Sequence, residues 1–214
     1  MSVRVENGGP VVVVIDDDES VREALRGLFQ SVGLVTEIYG SVQDYLDADQ
    51  LDRAGCIVLD IRLPGISGLE FQEALARSEI AQSVVLISAH VDVQMAVRAM
   101  KAGAVDVLTK PVREQDLLEA VNRALAKDRQ RRREAERDLT LRARYATLSE
   151  RERQVFALVS AGLLNKQIAD RVNVTEATVK LHRSQVMRKM EAESLPDLVR
   201  MADRLAKSEA SQDP

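Results

Sequence analysis

Charged and hydroxyl side chains stand at the ends of four short runs of aliphatic residues. The acidic stretch Asp16–Glu19 follows VVVVI, Asp60 closes CIVLD, Ser88 follows SVVLI and Lys110 comes two residues after VDVL. Carboxylates without a histidine cluster make an oxygen-only site, which suits Mg²⁺. A lysine beside them supplies a compact positive charge for a phosphoryl group. The set predicts Mg²⁺-assisted handling of phosphate.

Each of these residues also has a simpler interpretation. Acids at strand ends often cap the following helix, and a lone lysine is usually solvated. Capping does not account for all four positions at once, because they end four different predicted strands. The pattern therefore favours a shared site.

Five β-branched runs would position these residues. They begin at intervals of 22 to 27 residues and are separated by segments with helical periodicity; they start at Val11, Leu34, Cys56, Ser83 and Val105. Strands that alternate with helices at this spacing predict a doubly wound α/β fold, with a five-stranded parallel sheet, over residues 10–125. The site would lie in the crevice beyond the carboxyl ends of the strands.

The composition narrows the class of protein. The 214 residues are 45% hydrophobic and 30% charged, which excludes collagen-like and low-complexity classes and argues against wholesale disorder. The single Cys56 excludes an internal disulfide. The aliphatic runs are too short to cross a bilayer and no secretory signal is visible, so we expect a cytoplasmic protein without a membrane partner.

Charge is distributed unevenly along the chain. Residues 1–126 contain 11 Lys and Arg against 20 Asp and Glu, a net charge of −9, whereas residues 127–214 carry +5. An acidic first part and a basic second part indicate a cationic ligand for one and an anionic ligand for the other. The alternative for the basic part is an ordinary solvated helical surface.

Residues 126–146 are dominated by charge. We interpret them as a continuation of the last helix of the first domain into a helical, solvent-facing linker. The pairs Asp128/Arg132 and Asp138/Arg142, with the acid first at i,i+4, would support the helix weakly.

Four short helices are predicted over residues 147–208. A capping box is formed by Ser149 and Glu152. The helices are predicted to start at Ser149, Asn165, Thr175 and Ser194. The short gap Asn173-Val174 between the second and third helices is typical of a helix-turn-helix.

The third of these helices has two distinct faces. On a helical wheel Val179, Val186 and Met190 share one side. The opposite side mixes cations with small polar and apolar side chains, namely Ala177, Lys180, Leu181, Ser184 and Arg188. Such a face suits the major groove of DNA. Periodicity alone favours an ordinary solvated amphipathic helix.

The first domain resembles the receiver domain of two-component response regulators. The motifs that carry the resemblance are VIDDDESVR at 14–22, LDIRLPGISG at 59–68, LISAH at 86–90 and MKAGAVDVLTKP at 100–111. The resemblance implies that a histidine kinase phosphorylates Asp60. It also implies a cis Lys110-Pro111 bond, with Lys110 bridging the acidic pocket and the phosphate, and Ser88 as a switch hydroxyl. The implied Mg²⁺ ligands are Asp16, Asp17, Asp60 and the main-chain carbonyl of Arg62.

One position departs from the receiver pattern. Val107 stands where the family usually has an aromatic residue that swings inward on activation, so we expect the Ser88 part of the switch to remain. The family dimerises through the face of the fourth helix and fifth strand, which implies an interface with Val97 and Lys101. A place in the core is the alternative for Val97.

Residues 148–190 and 194–202 resemble a LuxR-type helix-turn-helix of the FixJ/NarL kind, with Thr175–Met190 as the recognition helix. The residues then expected to contact DNA are Lys166, Thr178, Lys180, Leu181, Ser184 and Arg188. We also expect Lys189 near phosphates and His182 in packing, whereas the role of Arg183 is open.

These observations predict a phosphorylation-controlled transcription regulator. Phosphorylated Asp60 would promote a homodimer that binds double-stranded promoter DNA and acts with RNA polymerase. One alternative is an Mg²⁺-dependent aspartyl-phosphate phosphatase of the haloacid-dehalogenase type, which needs a second Asp where Arg62 stands. Another is an RNA-binding antiterminator. We do not expect an enzyme.

Overall fold

The structure, a computed structural model, describes residues 9–49, 53–78 and 82–210. The chain divides into two compact units, residues 1–132 and residues 133–214. Among the described residues, no helix is both long enough and apolar enough to span a membrane.

The first unit is built on a five-stranded parallel sheet. Its strands are β1 (Val11–Ile15), β2 (Val35–Tyr39), β3 (Gly55–Asp60), β4 (Ser83–Ser88) and β5 (Asp106–Thr109). Their order across the sheet is β2-β1-β3-β4-β5, and each neighbouring pair is parallel. The predicted doubly wound fold is confirmed, with strand starts within one residue of those expected.

Helices cover the sheet on both faces. They are α1 (Glu19–Ser31), α2 (Val42–Asp47), α3 (Gly68–Arg77), α4 (Val93–Lys101) and α5 (Glu114–Ala146). Alternate residues of β1 enter different cores: Val13 and Ile15 pack in the core that includes Tyr45 and Phe71, and Val12 and Val14 in the core that includes Phe29 and Leu117. Burial on both faces explains why the strand sequences are uninterrupted aliphatic runs.

The second unit contains four helices: α6 (Glu150–Ser160), α7 (Asn165–Val172), α8 (Glu176–Met190) and α9 (Leu195–Ala210). The predicted capping box of Ser149 and Glu152 is present. Thr175 caps α8, and Asn173 takes a left-handed conformation (φ 52°) in the turn between α7 and α8. The core of the unit is apolar and includes Val155, Ile168, Val179, Val186, Met190 and Leu198.

Helix α5 is continuous through the predicted linker, but that segment is less solvent-facing than expected. Asp128 is 2% exposed, and its carboxylate accepts a hydrogen bond from the backbone N–H of Gly55 at 2.9 Å. The predicted pair with Arg132 forms at 3.0 Å. Further along, Asp138 pairs with Arg204 of α9, and Leu141 is buried in the core of the second unit. The solvent-facing interpretation is therefore wrong at Asp128 and Leu141.

A partly buried ion pair joins the start of α6 to the end of α8. The Glu152 side chain is 8% exposed, and its Oε2 lies 2.6 Å from Lys189 Nζ. The Lys189 hydrogen bond, with smaller contributions from Ser149, lowers the pKa of Glu152 from 4.5 to about 2. Because the pKa is depressed in the folded state, the stabilisation is complete above about pH 5 and is lost as the pH falls towards 2.

We expect Glu152→Gln to lower the free energy of unfolding of the second unit by about 2 kcal/mol at neutral pH. The difference from the parent chain should shrink between pH 5 and pH 3, where the parent begins to lose the same charge. Urea unfolding of the full chain, followed through NMR signals of α6 and α8, measures this. Glu150→Gln, an exposed position on the same helix, is the matched control. Equal losses in both variants at every pH would contradict the assignment.

Candidate phosphoryl-acceptor site and DNA-binding face

A lysine bridges two carboxylates at the carboxyl ends of the strands. Asp16 follows β1, Asp60 ends β3 and Lys110 follows β5. The ammonium Nζ of Lys110 lies 2.6 Å from Asp16 Oδ2 and 2.5 Å from Asp60 Oδ2. Parallel strands end at one edge of a sheet, so residues 94 positions apart meet there.

Burial and hydrogen bonding shift the pKa values of Asp16 and Lys110 in opposite directions. Asp16 is fully buried and Asp60 is 6% exposed. Burial raises the pKa of Asp16, although the hydrogen bond from Lys110 opposes the shift. Burial also disfavours the charge of Lys110, but its hydrogen bonds to Asp16 and Asp60 leave its pKa above the ordinary value. The lysine therefore stays cationic and offsets part of the negative charge of the pocket.

Three carboxylates of this pocket converge closely enough to share a cation. Asp16, Asp17 and Asp60 each offer an oxygen within 4.8 Å of the others. Asp17 is exposed and the other two are buried, so the group is open to solvent on one side. An all-oxygen donor set with an open side fits Mg²⁺, which keeps several water ligands. The backbone N–H of Arg62 donates to Asp60 Oδ1 at 2.9 Å, so the chain after β3 turns back towards this carboxylate.

The capping interpretation holds for one of the adjacent acids. Asp18 is the N-cap of α1, and its carboxylate accepts hydrogen bonds from the hydroxyl of Ser20 at 2.6 Å and from its N–H at 2.8 Å. These bonds lower the pKa of Asp18. Asp16 instead points to Lys110, and its main-chain carbonyl accepts from Arg22. Asp18 therefore caps a helix, whereas Asp16 belongs to the pocket of carboxylates around Lys110.

Ser88 ends β4 and Val107 lies in β5, the two strands next to β3 on one side of the sheet. The Ser88 side chain is fully buried, and its hydroxyl donates to the carbonyl of His90 at 3.2 Å. Val107 is partly buried and packs against the core around Tyr45. The Lys110-Pro111 peptide bond is cis, as the resemblance implied.

Gly68 lies directly against the backbone of Asp60, a contact that was not predicted although the residue belongs to the motif LDIRLPGISG. Its N–H donates to the carbonyl of Ile61 at 3.0 Å. A Cβ atom at this position would lie 2.0 Å from the main-chain carbonyl oxygen of Asp60. The backbone of Asp60 can approach α3 this closely only because residue 68 has no side chain.

The outer face of α8 is exposed as the wheel predicted. Leu181 is 60% exposed, and the other outward residues are also accessible, namely Ala177, Lys180, Ser184 and Arg188. Lys166, near the start of α7, is exposed as well. Thr178 is half-buried and its hydroxyl bonds with that of Thr175 at 2.9 Å. Lys189 differs from expectation, since it is held by Glu152 and by the carbonyl of Thr147.

Helix α4 presents an apolar strip to solvent. Val93 is 80% exposed, Val97 47% and Met100 50%, and Lys101 beside them is exposed too. The core alternative for Val97 is therefore wrong. Arg98 of α4 forms a two-point ion pair with Glu73 of α3, at 2.5 and 2.8 Å, which holds the two helices together at the surface.

A parallel five-stranded sheet with this carboxylate and lysine pocket defines a receiver domain, and α7 with α8 defines a helix-turn-helix. Residues 12–122 match the family described as response regulator receiver domain, and residues 146–202 match the bacterial regulatory proteins of the luxR family. The chain belongs to the response regulators with a LuxR-type DNA-binding domain, and it is a transcriptional response regulator of the FixJ kind.

Relatives that match over most of the chain support this membership. Nodulation protein W of Bradyrhizobium diazoefficiens is 48% identical over 196 residues, which is 91% of this chain and 86% of that protein. The structure of the response regulator StyR is 42% identical, with a TM-score of 0.81, and the match covers 91% of this chain and 98% of that chain. Full-length FixJ from B. japonicum is 35% identical, with a TM-score of 0.57 and coverage of 94% and 99%.

We expect Gly68→Ala to slow phosphoryl uptake by about 100-fold, because displacing a reacting group by about 1 Å costs that much. The added Cβ would push against the main chain of Asp60. Intact mass against time, with a small-molecule phosphodonor and Mg²⁺, measures the rate. Gly27→Ala, in open space on α1, is the control and should keep the parent rate. A parent-like rate for Gly68→Ala, with the fold intact by circular dichroism, would refute the constraint.

Proposed function

We propose that Asp60 accepts a phosphoryl group from a sensor histidine kinase and that Mg²⁺ assists the transfer. A carboxylate oxygen of Asp60 attacks phosphorus, a P–O bond forms, and the P–N bond to the kinase histidine breaks with its electron pair on nitrogen. The contact of Lys110 with both carboxylates carries this proposal, because a fixed cation beside the acceptor offsets charge on the transferring group.

The metal would be held by the carboxylates of Asp16, Asp17 and Asp60, together with the main-chain carbonyl of Arg62. When bound, Mg²⁺ supplies Lewis-acid neutralisation of the phosphoryl oxygens. Asp60 rather than Asp16 is the acceptor, because Asp16 is fully buried whereas Asp60 retains some exposure.

Phosphorylation would change the contacts of Lys110 and Ser88. The phosphoryl group adds about −1.5 to −2 charge and three acceptor oxygens next to Lys110. The Ser88 hydroxyl would then leave the His90 carbonyl for the phosphate, which moves the segment that leads into α4. Val107 is smaller than the aromatic residue usual at its position, so the Ser88 movement carries the switch.

The consequence of the switch is a homodimer through α4. Val97 and Lys101 lie on the exposed strip of α4, which offers apolar surface to a second copy. Dimerisation brings two copies of the basic second unit to one DNA duplex. Because both copies bind together, the modest positive charge of each is enough for useful affinity. The bound dimer would control transcription by RNA polymerase at the promoter.

The DNA contacts divide into two kinds. Lys180, Leu181 and Ser184 face outward from the middle of α8 and would read base edges, with Leu181 meeting a thymine methyl group. Lys166, Thr178 and Arg188 would contact phosphates, which set the position of the helix but not its sequence preference.

The alternatives have less support. A haloacid-dehalogenase-type phosphatase needs a second carboxylate at the position of Arg62, and the luxR-family match is to a DNA-binding domain. The same match favours duplex DNA over RNA as the target.

We expect Asp60→Asn to abolish phosphoryl uptake while the fold is kept, because an amide is a far weaker nucleophile than a carboxylate. Intact mass and gel filtration after incubation with a small phosphodonor and Mg²⁺ test this directly. The parent should gain one phosphoryl group and shift to a dimer. Phosphoryl uptake by the variant would show that Asp60 is misassigned, and a phosphorylated monomeric parent would refute the dimer step.

We expect Lys180→Ala to reduce discrimination between target and random duplex by about tenfold, since a base contact contributes about 1–3 kcal/mol. The target duplex is selected from a random-sequence pool with the phosphorylated parent. Gel filtration should show unchanged dimerisation. Arg200→Met, an exposed cation on α9, is the control. Unchanged discrimination in Lys180→Ala would refute base reading by this residue.

A further inference from the structure

Arg183 differs from Lys180 and Arg188, the cations on the outer face of α8. Lys180 and Arg188 are exposed, whereas Arg183 is half-buried. Its Nη1 donates a hydrogen bond to Oδ1 of Asn165 at 2.8 Å, across to the first residue of α7. The guanidinium is therefore directed at a neighbouring helix and not along the outer face of α8.

The partner of Arg183 is a neutral amide. In the part of the chain that the structure describes, no carboxylate lies within ion-pair distance of Arg183. An arginine held by an amide keeps its positive charge while losing its freedom to rotate. The contact thus fixes geometry without neutralising the basic surface.

The Arg183–Asn165 hydrogen bond lies at the start of α7, the end opposite the turn between α7 and α8. At the other end, the left-handed Asn173 and the hydrogen bond from Val174 N–H to the Ala169 carbonyl hold α7 to the turn. At its start, α7 follows Leu164, whose apolar side chain is 70% exposed and provides no cap, although its backbone N–H donates to Oε1 of Gln167 at 2.9 Å. Ile168, one turn further along, is buried in the core with Val179, and the Arg183–Asn165 bond adds a directional polar link between the start of α7 and α8.

We propose that Arg183 is a positioning residue that links the phosphate contact of α7 to the base-reading face of α8. This rests on the proposed DNA contacts, because Lys166 follows Asn165 directly and is exposed. With Lys166 on a phosphate, the Arg183–Asn165 bond fixes how Lys180 meets the bases. A direct phosphate contact by Arg183 is the competing role.

The positioning role and the phosphate-contact role of Arg183 predict different effects of substituting Asn165. If Arg183 positions α7, Asn165→Ala and Arg183→Met break the same bond and each lowers selectivity for target over random duplex by about tenfold. The double variant should then lose no more than either single variant, which is the signature of two residues acting as one unit. If Arg183 itself contacts a phosphate, Asn165→Ala leaves binding unchanged.

The test is this double-mutant cycle in the full phosphorylated chain, with a duplex selected from a random-sequence pool and a random duplex, at several salt concentrations. Both single variants should also lower the salt slope by about 0.9, one phosphate contact, because Lys166 is displaced in each. Asn165→Asp keeps the acceptor and should keep selectivity, while its added negative charge weakens binding to both duplexes alike.

Three results would overturn the proposal: additive losses in the double variant, a uniform affinity loss in Arg183→Met with none in Asn165→Ala, or unchanged selectivity in both. Arg183→Lys is a second variant that keeps the charge, in case Arg183→Met does not fold. Lys180→Ala distinguishes a failure of the positioning role from a failure of the proposed DNA contacts. If Lys180→Ala loses selectivity and Arg183→Met does not, only the positioning role of Arg183 is refuted. If both keep selectivity, the DNA contacts themselves are misassigned.

Discussion

The first unit is organised around one ammonium group shared by two carboxylates. Lys110 follows β5, which is separated from β3 by β4, so its long side chain spans the end of β4 to reach Asp60 and Asp16. Buried carboxylates without such a partner would carry a large desolvation cost. The sheet order makes the arrangement possible because β1 and β3 are neighbours, and their carboxyl ends bring the two acids within reach of one cation. Ser88 ends the strand that the lysine crosses, directly after Ile87, the register partner of Asp60.

Much of this architecture could be read from the sequence because it depends on local rules. Strands buried on both faces must be aliphatic throughout, and parallel strands must end at the same edge, so the five runs and the acidic pocket follow from pattern alone. Helix caps such as Ser149 are equally local. The helix-turn-helix gap and the outward face of α8 follow from the same periodicity.

Features that depend on tertiary contact could not be predicted. The charge spacing of Asp128 and Arg132 is the same on a solvated helix and on one packed against the start of β3, and only the fold shows the bond to Gly55. Lys189 and Arg188 are adjacent and chemically alike, yet Glu152 engages only the first of them. The direction of the Ser88 hydroxyl likewise depends on where the chain after β4 places the His90 carbonyl.

The lone thiol of the chain has a practical consequence. Cys56 is buried at the start of β3, where burial, with a smaller contribution from Asp128, raises its pKa to about 12. A thiol that holds its proton at neutral pH and is shielded from solvent reacts poorly with oxidants and alkylating reagents. The natural sequence therefore behaves as a cysteine-free background. A cysteine introduced on α4 or α8 would be the one reactive position for a fluorophore or spin label, so movements of either helix can be followed with the native Cys56 left in place.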